Sequence, residues 1–134
     1  MCKFCFDVIL NRLLKGEKKV SIFDIDSSIK SPLFVTWEIN KNGIFNLRGC
    51  IGTLAPQQIC LALGEYAKTS AFKDPRFHPI TLHEVSLLRV SVSLLVQYED
   101  CDNCLDWTPG VHGVIINFTH SSRNYSGESM VLQL

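Results

Sequence analysis

Apolar residues at Cys2, Cys5, Phe6, Ile9, Leu10, Leu13 and Leu14 recur close to the i, i+3, i+4, i+7 spacing of one helical face, which predicts an amphipathic helix over 2–14. Gly16 supplies a stop, and Lys15, Lys18 and Lys19 suit the negative end of the helix dipole. The mixed stretch up to Ser31-Pro32 reads as a loop with a short ordered piece around Ile22 to Ile25. The period then changes from 3.6 to 2. Leu33, Val35, Trp37 and Ile39 alternate with Thr36 and Glu38, the pattern of a half-buried strand. Asn40-Lys41-Asn42-Gly43 is a turn whose Asn-Gly pair tolerates positive φ, so Leu47 to Thr53 becomes the second strand of a hairpin. Thr53 as a cap and Pro56 in the first turn then predict a helix with Ile59, Ala62, Leu63, Tyr66 and Ser70 on one face.

Beyond that helix, Thr69 to Thr81 (TSAFKDPRFHPIT) holds two prolines and alternating charge, and predicts an irregular loop. A short turn at His83-Glu84 leads into the clearest strand, with Leu88, Val90, Val92, Leu94, Val96 and Tyr98 alternating with Arg89, Ser91, Ser93 and Gln97. Glu99 to Gly110 is turn-rich, Val111 to Phe118 reads as a strand, and Met130 to Leu134 is an apolar end that stops mid-strand.

Within this pattern Leu47-Arg48-Gly49-Cys50-Ile51-Gly52-Thr53 is anomalous, because a strand interior normally avoids glycine. Either another backbone or a ligand approaches at Gly49 and Gly52, or the strand bulges there and re-aims its neighbours. In a regular strand Arg48 and Cys50 would share one face, a fixed cation beside a thiol. A strand running directly into a helix N-terminus would add backbone N–H groups favourable to an anion.

Composition narrows the field. With 134 residues, 46% hydrophobic and 19% charged, the chain is expected to form a single globular domain over 1–134. Thirteen basic residues balance thirteen acidic ones, which argues against a nucleic-acid binder, and no run approaches the roughly 18 to 20 apolar residues of a membrane span. The N-terminus has charges inside its apolar part and no small-residue cleavage site, so the expectation is an intracellular protein. Six cysteines then read as reduced thiols. Cys2-x-x-Cys5 and Cys101-x-x-Cys104 have the spacing of zinc ligands, but Cys2 and Cys5 equally fit the apolar stripe of the first helix. No metal or cofactor is therefore expected, with a four-thiolate zinc site as the minor alternative.

Four segments, LRGCIGT at 47–53, TSAFKDPRFHPIT at 69–81, SVSLL at 91–95 and LDWTPGVHGVII at 105–116, give the chain a marked resemblance to the AMMECR domain family. CKFCFDVI at the start and PLFVTW at 32–37 resemble its eukaryotic branch. The resemblance covers nearly the whole chain in one register, and LRGCIGT is very specific to the family. It implies an α+β fold of antiparallel sheet with flanking helices, in a larger and a smaller lobe, with no established biochemical activity. Members of the eukaryotic branch are thought of as nuclear or cytoplasmic, and the motif has been suspected of catalytic work. The family domain normally continues further, so the resemblance implies a domain whose C-terminal part is missing here. His78 stands where proline is common, and Thr108-Pro109 replace a usual Glu-Val.

Two functions fit these residues. In an enzyme, Cys50 is the nucleophile, a neighbouring Arg48 favours the thiolate, and His112 between its glycines is the best base, ahead of His78 and His83. In a binding or adaptor module, Arg48, Gly49, Gly52 and Thr53 form a groove with Asp74 and Arg76 of the DPRF loop, for a small anionic molecule or a protein partner. The bland alternatives are a packed Cys50, an Arg48 paired with a carboxylate such as Glu38, and an Asp74–Arg76 pair that staples its own loop. A third reading, a product left incompetent by truncation, would expose an apolar face or an open sheet edge.

Overall fold

The helical spacing at the start of the chain forms α1, Cys2–Leu13, in a computed structural model that describes residues 1–16, 20, 25–108 and 111–129, the side chains of 116 and 126–129 excepted. Cys5 and Ile9 are wholly buried, whereas Cys2 is exposed. Asp7, also on the buried side, receives the Lys3 ammonium at 2.6 Å one turn away. The helix stops because Lys15 and Gly16 both turn left-handed, with φ of 52° and 85°; only the glycine does so without steric cost. Lys18, Lys19 and most of the ordered piece expected at Ile22 to Ile25 fall outside the described residues.

The period-2 segments form an antiparallel sheet of β1 (Lys30–Lys41), β2 (Ile44–Gln58) and β3 (Leu88–Leu94), in the order β2-β1-β3. One face carries Leu33, Val35 and Trp37, fully buried against α1 and the helix α2, Ile59–Phe72. Helix α2 contributes Ile59, Leu63, Ala67 and Ala71, a spacing of four that makes one narrow stripe of small and branched residues. Trp37 is fixed on both sides: its ring meets Phe6 edge-on at 5.1 Å, and its Nε1 donates to Ser70 Oγ at 3.1 Å. A 3-10 turn, Leu82–Leu87, precedes β3. The result is an α+β fold of antiparallel sheet with flanking helices. The chain forms two compact units, Met1–Gln97 and Tyr98–Leu134. The second contains the hairpin of β4 (Val114–His120) and β5 (Arg123–Ser129).

Three boundaries correct the sequence reading. The second helix begins at Ile59, not at Thr53 or Pro56, because β2 regains its pairing with β1 at Ser31↔Gln57 and Lys30↔Gln58. Residues 54–56 are accommodated as a register irregularity opposite Pro32, since neither Pro32 nor Pro56 has an N–H to give to a ladder. Strand β3 ends at Leu94 and not at Tyr98, as its partner β1 pairs no further than Leu33. The strand expected at Val111 starts at Val114, and Met130 to Leu134 lie outside the described residues.

Candidate functional site

The β1–β2 hairpin turns through Asn42 and Gly43, both at positive φ (55° and 86°), as a two-residue loop that suits the strand twist. From that turn the register runs Lys41↔Ile44, Asn40↔Phe45, Ile39↔Asn46, Glu38↔Leu47, and then skips to Trp37↔Gly49 and Thr36↔Cys50. Arg48 is the extra residue of a β-bulge. In an unbulged ladder that paired Arg48 with Trp37, Cys50 would lie opposite Val35 on the core face; with the bulge Gly49 lies opposite the buried Trp37, and Cys50 lies opposite Thr36 on the outer face. Both explanations offered for the glycines therefore hold. A Cβ on Gly49 would collide with the backbone carbonyl of Ser70 in α2, and one on Gly52 with the Leu33 carbonyl and the Phe34 ring.

Strand β2 is an edge strand, so the N–H and C=O of every second residue point away from β1. At Cys50 both are captured by the loop that follows α2. The Cys50 N–H donates to Asp74 Oδ2 at 2.9 Å, and Arg76 Nη2 donates to the Cys50 carbonyl at 3.0 Å. Arg76 grips Asp74 with two further bonds, Nε to Oδ1 at 3.0 Å and Nη2 to Oδ2 at 2.7 Å, while the Arg76 N–H adds a third at 3.1 Å. Asp74 is buried. The Arg76 hydrogen bonds, helped by the Cys50 N–H, hold its carboxyl well below the usual carboxylate range despite desolvation, and Asp74 in turn raises Arg76. The Cys50 side chain is half-buried, and Thr36 Oγ1 bonds its Sγ at 3.2 Å.

The cation at Cys50 is thus Arg76 and not Arg48. Arg48 does not pair with Glu38 either; its Nε and Nη2 donate to Glu84 at 2.7 and 3.2 Å, and its Nη1 to the His78 carbonyl at 2.8 Å. Glu84 also accepts from the N–H and hydroxyl of Thr81, completing a capping box for the 3-10 turn. The Arg48 bonds first, then those of Thr81, lower the Glu84 carboxyl to about 2. Glu38 instead meets Arg89 across the sheet at 2.6 Å.

Between the hairpin and the DPRF loop lies a cleft of about 460 Å³. Ile39, Leu47, Pro75 and Phe77 give it apolar walls, and Lys41, Arg48, Arg76 and His78 give it N–H donors. Lys41, Leu47, Phe77 and Glu84 escaped the sequence-based site. Of these only Glu84 had a local signal, the Thr81-x-x-Glu84 spacing of a capping box.

Two of the other candidates make local contacts. Thr53 Oγ1 accepts from the Ala55 N–H at 3.1 Å and caps no helix. His112 belongs to the second unit, where its Nδ1 accepts the Thr108 N–H at 3.0 Å. Cys101 and Cys104 are exposed in that unit, whereas Cys5 is sealed in the core of the first, where burial pushes its thiol up to about 12. A zinc site using all four cysteines would have to extract Cys5 from its packing. Among the described residues no group of three or more His, Cys, Asp or Glu is arranged to hold a metal.

A three-stranded antiparallel sheet backed by two helices, with an edge strand bulged at Arg48 and clasped by an aspartate–arginine pair, defines the class of domain. The AMMECR1 family model matches residues 2–127, and the chain belongs to that family. It is 41% identical over 125 residues to an uncharacterised protein of Arabidopsis thaliana, covering 92% of this chain and 57% of that one. An uncharacterised protein of Schizosaccharomyces pombe is 40% identical over 126 residues, covering 93% and 65%. The crystal structure of an uncharacterised protein from Pyrococcus horikoshii superposes with a TM-score of 0.71 at 26% identity, covering 96% of this chain and 66% of that one. The chain thus spans between 44% and 65% of the length of the curated relatives it matches. No described helix is long and apolar enough to cross a membrane.

Proposed function

We propose that this chain is a non-catalytic binding module whose cleft between the hairpin and the DPRF loop receives an anionic group of a small molecule or protein. The observation that carries the reading is the state of Arg76. Its Nε and Nη2 are committed to Asp74 and the Cys50 carbonyl, which fixes the plane of the guanidinium, while its Nη1 has no hydrogen-bond acceptor among the described residues and 54% of the side chain is exposed. A guanidinium already held in place loses little freedom on meeting a carboxylate or phosphate. Lys41 lines the same cleft and has no ion-pair partner among the described residues. The test is thermal unfolding in the presence of inorganic phosphate, citrate or an acidic peptide. A probe at a hundred times its Kd adds about 2.7 kcal/mol of stability, and Lys41→Ala should remove that gain while leaving the unliganded midpoint in place. No shift with any probe overturns the reading.

A thiol-dependent reaction at Cys50 is the second reading, supported by a half-buried Sγ that a hydroxyl bonds and a guanidinium nearby. It is the weaker one because, among the described residues, no imidazole or carboxylate is hydrogen-bonded to that sulfur, and a nucleophile needs a base within reach. Alkylation of Cys50 well above the rate of a simple thiol, slowed by His112→Ala, would reverse the ranking.

A further inference from the structure

We infer that the open edge of β2 over Ile44–Leu47 takes an extended acidic peptide segment of a partner protein as an added strand, with its carboxylates meeting Lys41 and Arg76. This rests on the anionic cleft proposed above and names the class of ligand that cleft would serve.

The ladder dictates which backbone groups are on offer. In a two-residue hairpin the closing pair, here Lys41↔Ile44, exchanges its hydrogen bonds internally, so Phe45 and Leu47 present their N–H and C=O groups outward. Counting from the other end gives the same phase: the Cys50 N–H and C=O point outward, since Asp74 and Arg76 hold them, and the extra residue at the bulge separates Leu47 from Cys50. The loop therefore guards one outward position and stops. Among the described residues no hydrogen bond reaches the backbone of Phe45 or Leu47 from beyond β1, and the Asn46 side chain bonds only the Ile44 carbonyl, at 3.1 Å.

The side chains leave this edge undefended. Natural edge strands are kept single by charges, proline or bulges. Ile44-Phe45-Asn46-Leu47 has no charge and no proline, and Ile44 and Leu47 are 67% and 44% exposed. The edge also runs directly into the cleft, since Leu47 and Arg48 are part of its lining along with Lys41, which has no ion-pair partner among the described residues. Backbone pairing on the edge and positive charge at one end together select an extended segment bearing Asp or Glu.

A labelled synthetic peptide of alternating valine and glutamate serves as the probe, with binding followed by fluorescence anisotropy and amide exchange followed residue by residue in isotope-labelled protein. Binding should slow exchange at Phe45 and Leu47 and leave Asn46 unchanged, N-methylation of alternate peptide residues in one phase only should abolish it, and Lys41→Glu should weaken it about tenfold or more. Binding without protection at Phe45 and Leu47, or without sensitivity to N-methylation, overturns the added strand while leaving the anionic cleft standing. A response to inorganic phosphate but not to the peptide does the same, whereas silence from both removes the cleft as well. Concentration-dependent dimers dissolved by Ile44→Lys would assign the edge to a second copy of the chain and overturn the inference.

Discussion

The two halves of β2 follow the same strand direction and face the same neighbour, yet one is closed and the other open. At Gly49 and Cys50 a helix carbonyl presses on the core face and an Asp74–Arg76 pair occupies the edge. At Ile44 to Leu47, before the bulge, apolar side chains stand in solvent and the outward backbone groups are unpaired among the described residues. The difference teaches that an ion pair can substitute for a strand. Asp74 accepts from the N–H as a neighbouring carbonyl would, and Arg76 donates to the C=O as a neighbouring amide would. The same chemistry used at Arg89 and Glu38 joins only side chains across β1 and β3 and closes nothing.

Substitutions along the strand should reproduce this contrast. The largest effect belongs to Gly49→Ala, whose methyl has only the Ser70 backbone to push against; a loss of about 3 kcal/mol or more, or failure to fold, is expected in urea unfolding. Asp74→Ala leaves the Cys50 N–H unpaired and Arg76 without its anchor, and should cost about 2 to 3 kcal/mol in the same assay, discounted because Arg76 can rehydrate. Glu84→Gln keeps a hydrogen-bonding side chain but not the charge and should cost about 1 kcal/mol. Leu47→Ser on the open half should stay within about 0.5 kcal/mol of the parent, since it removes an exposed side chain.

Acid should act on the closed half selectively. Asp74 and Glu84 are both depressed in the folded state, so their contribution is fully present above the unfolded carboxylate values and disappears as pH falls through the folded ones. For Glu84 that window runs from 4.5 down to about 2. Stability should therefore drop across it, and Asp74→Asn should flatten the lower part of the curve. An unchanged slope in that variant would show that the carboxylate does not carry the clasp.

Much of the fold was legible because periodicity and turn chemistry are local. The helix at Cys2–Leu13, the Asn42-Gly43 hairpin and the alternation of β1 and β3 each follow from neighbours in sequence. Thr53 and Pro56 misled because capping residues announce a helix only where no strand partner is available, and β1 supplied one as far as Lys30. The candidate site is legible in its members and not in its pairing: the sequence points to Cys50, Asp74 and Arg76 but puts Arg48 in the place that Arg76 holds. The cause is the bulge, a single inserted position that no count of alternating residues reveals. The Arg48–Glu84 pair likewise joins residues 36 apart, a separation only the fold could close.

That inserted position gives the strand a change of parity. On the hairpin side of Arg48, residues whose numbers add to 85 are partners; beyond it they add to 86, so odd and even exchange faces for the segment through Thr53. Deleting Arg48 would remove the bulge together with the cation. Gly49 would then follow Leu47 in a regular ladder opposite Trp37, and Cys50 would stay opposite Thr36 with its thiol outward and its backbone facing the Asp74 clasp. The inside-out change is the opposite one: a strand that kept Arg48 and paired it with Trp37 would bring Cys50 opposite Val35 on the core face, so the bulge decides which side the family motif shows.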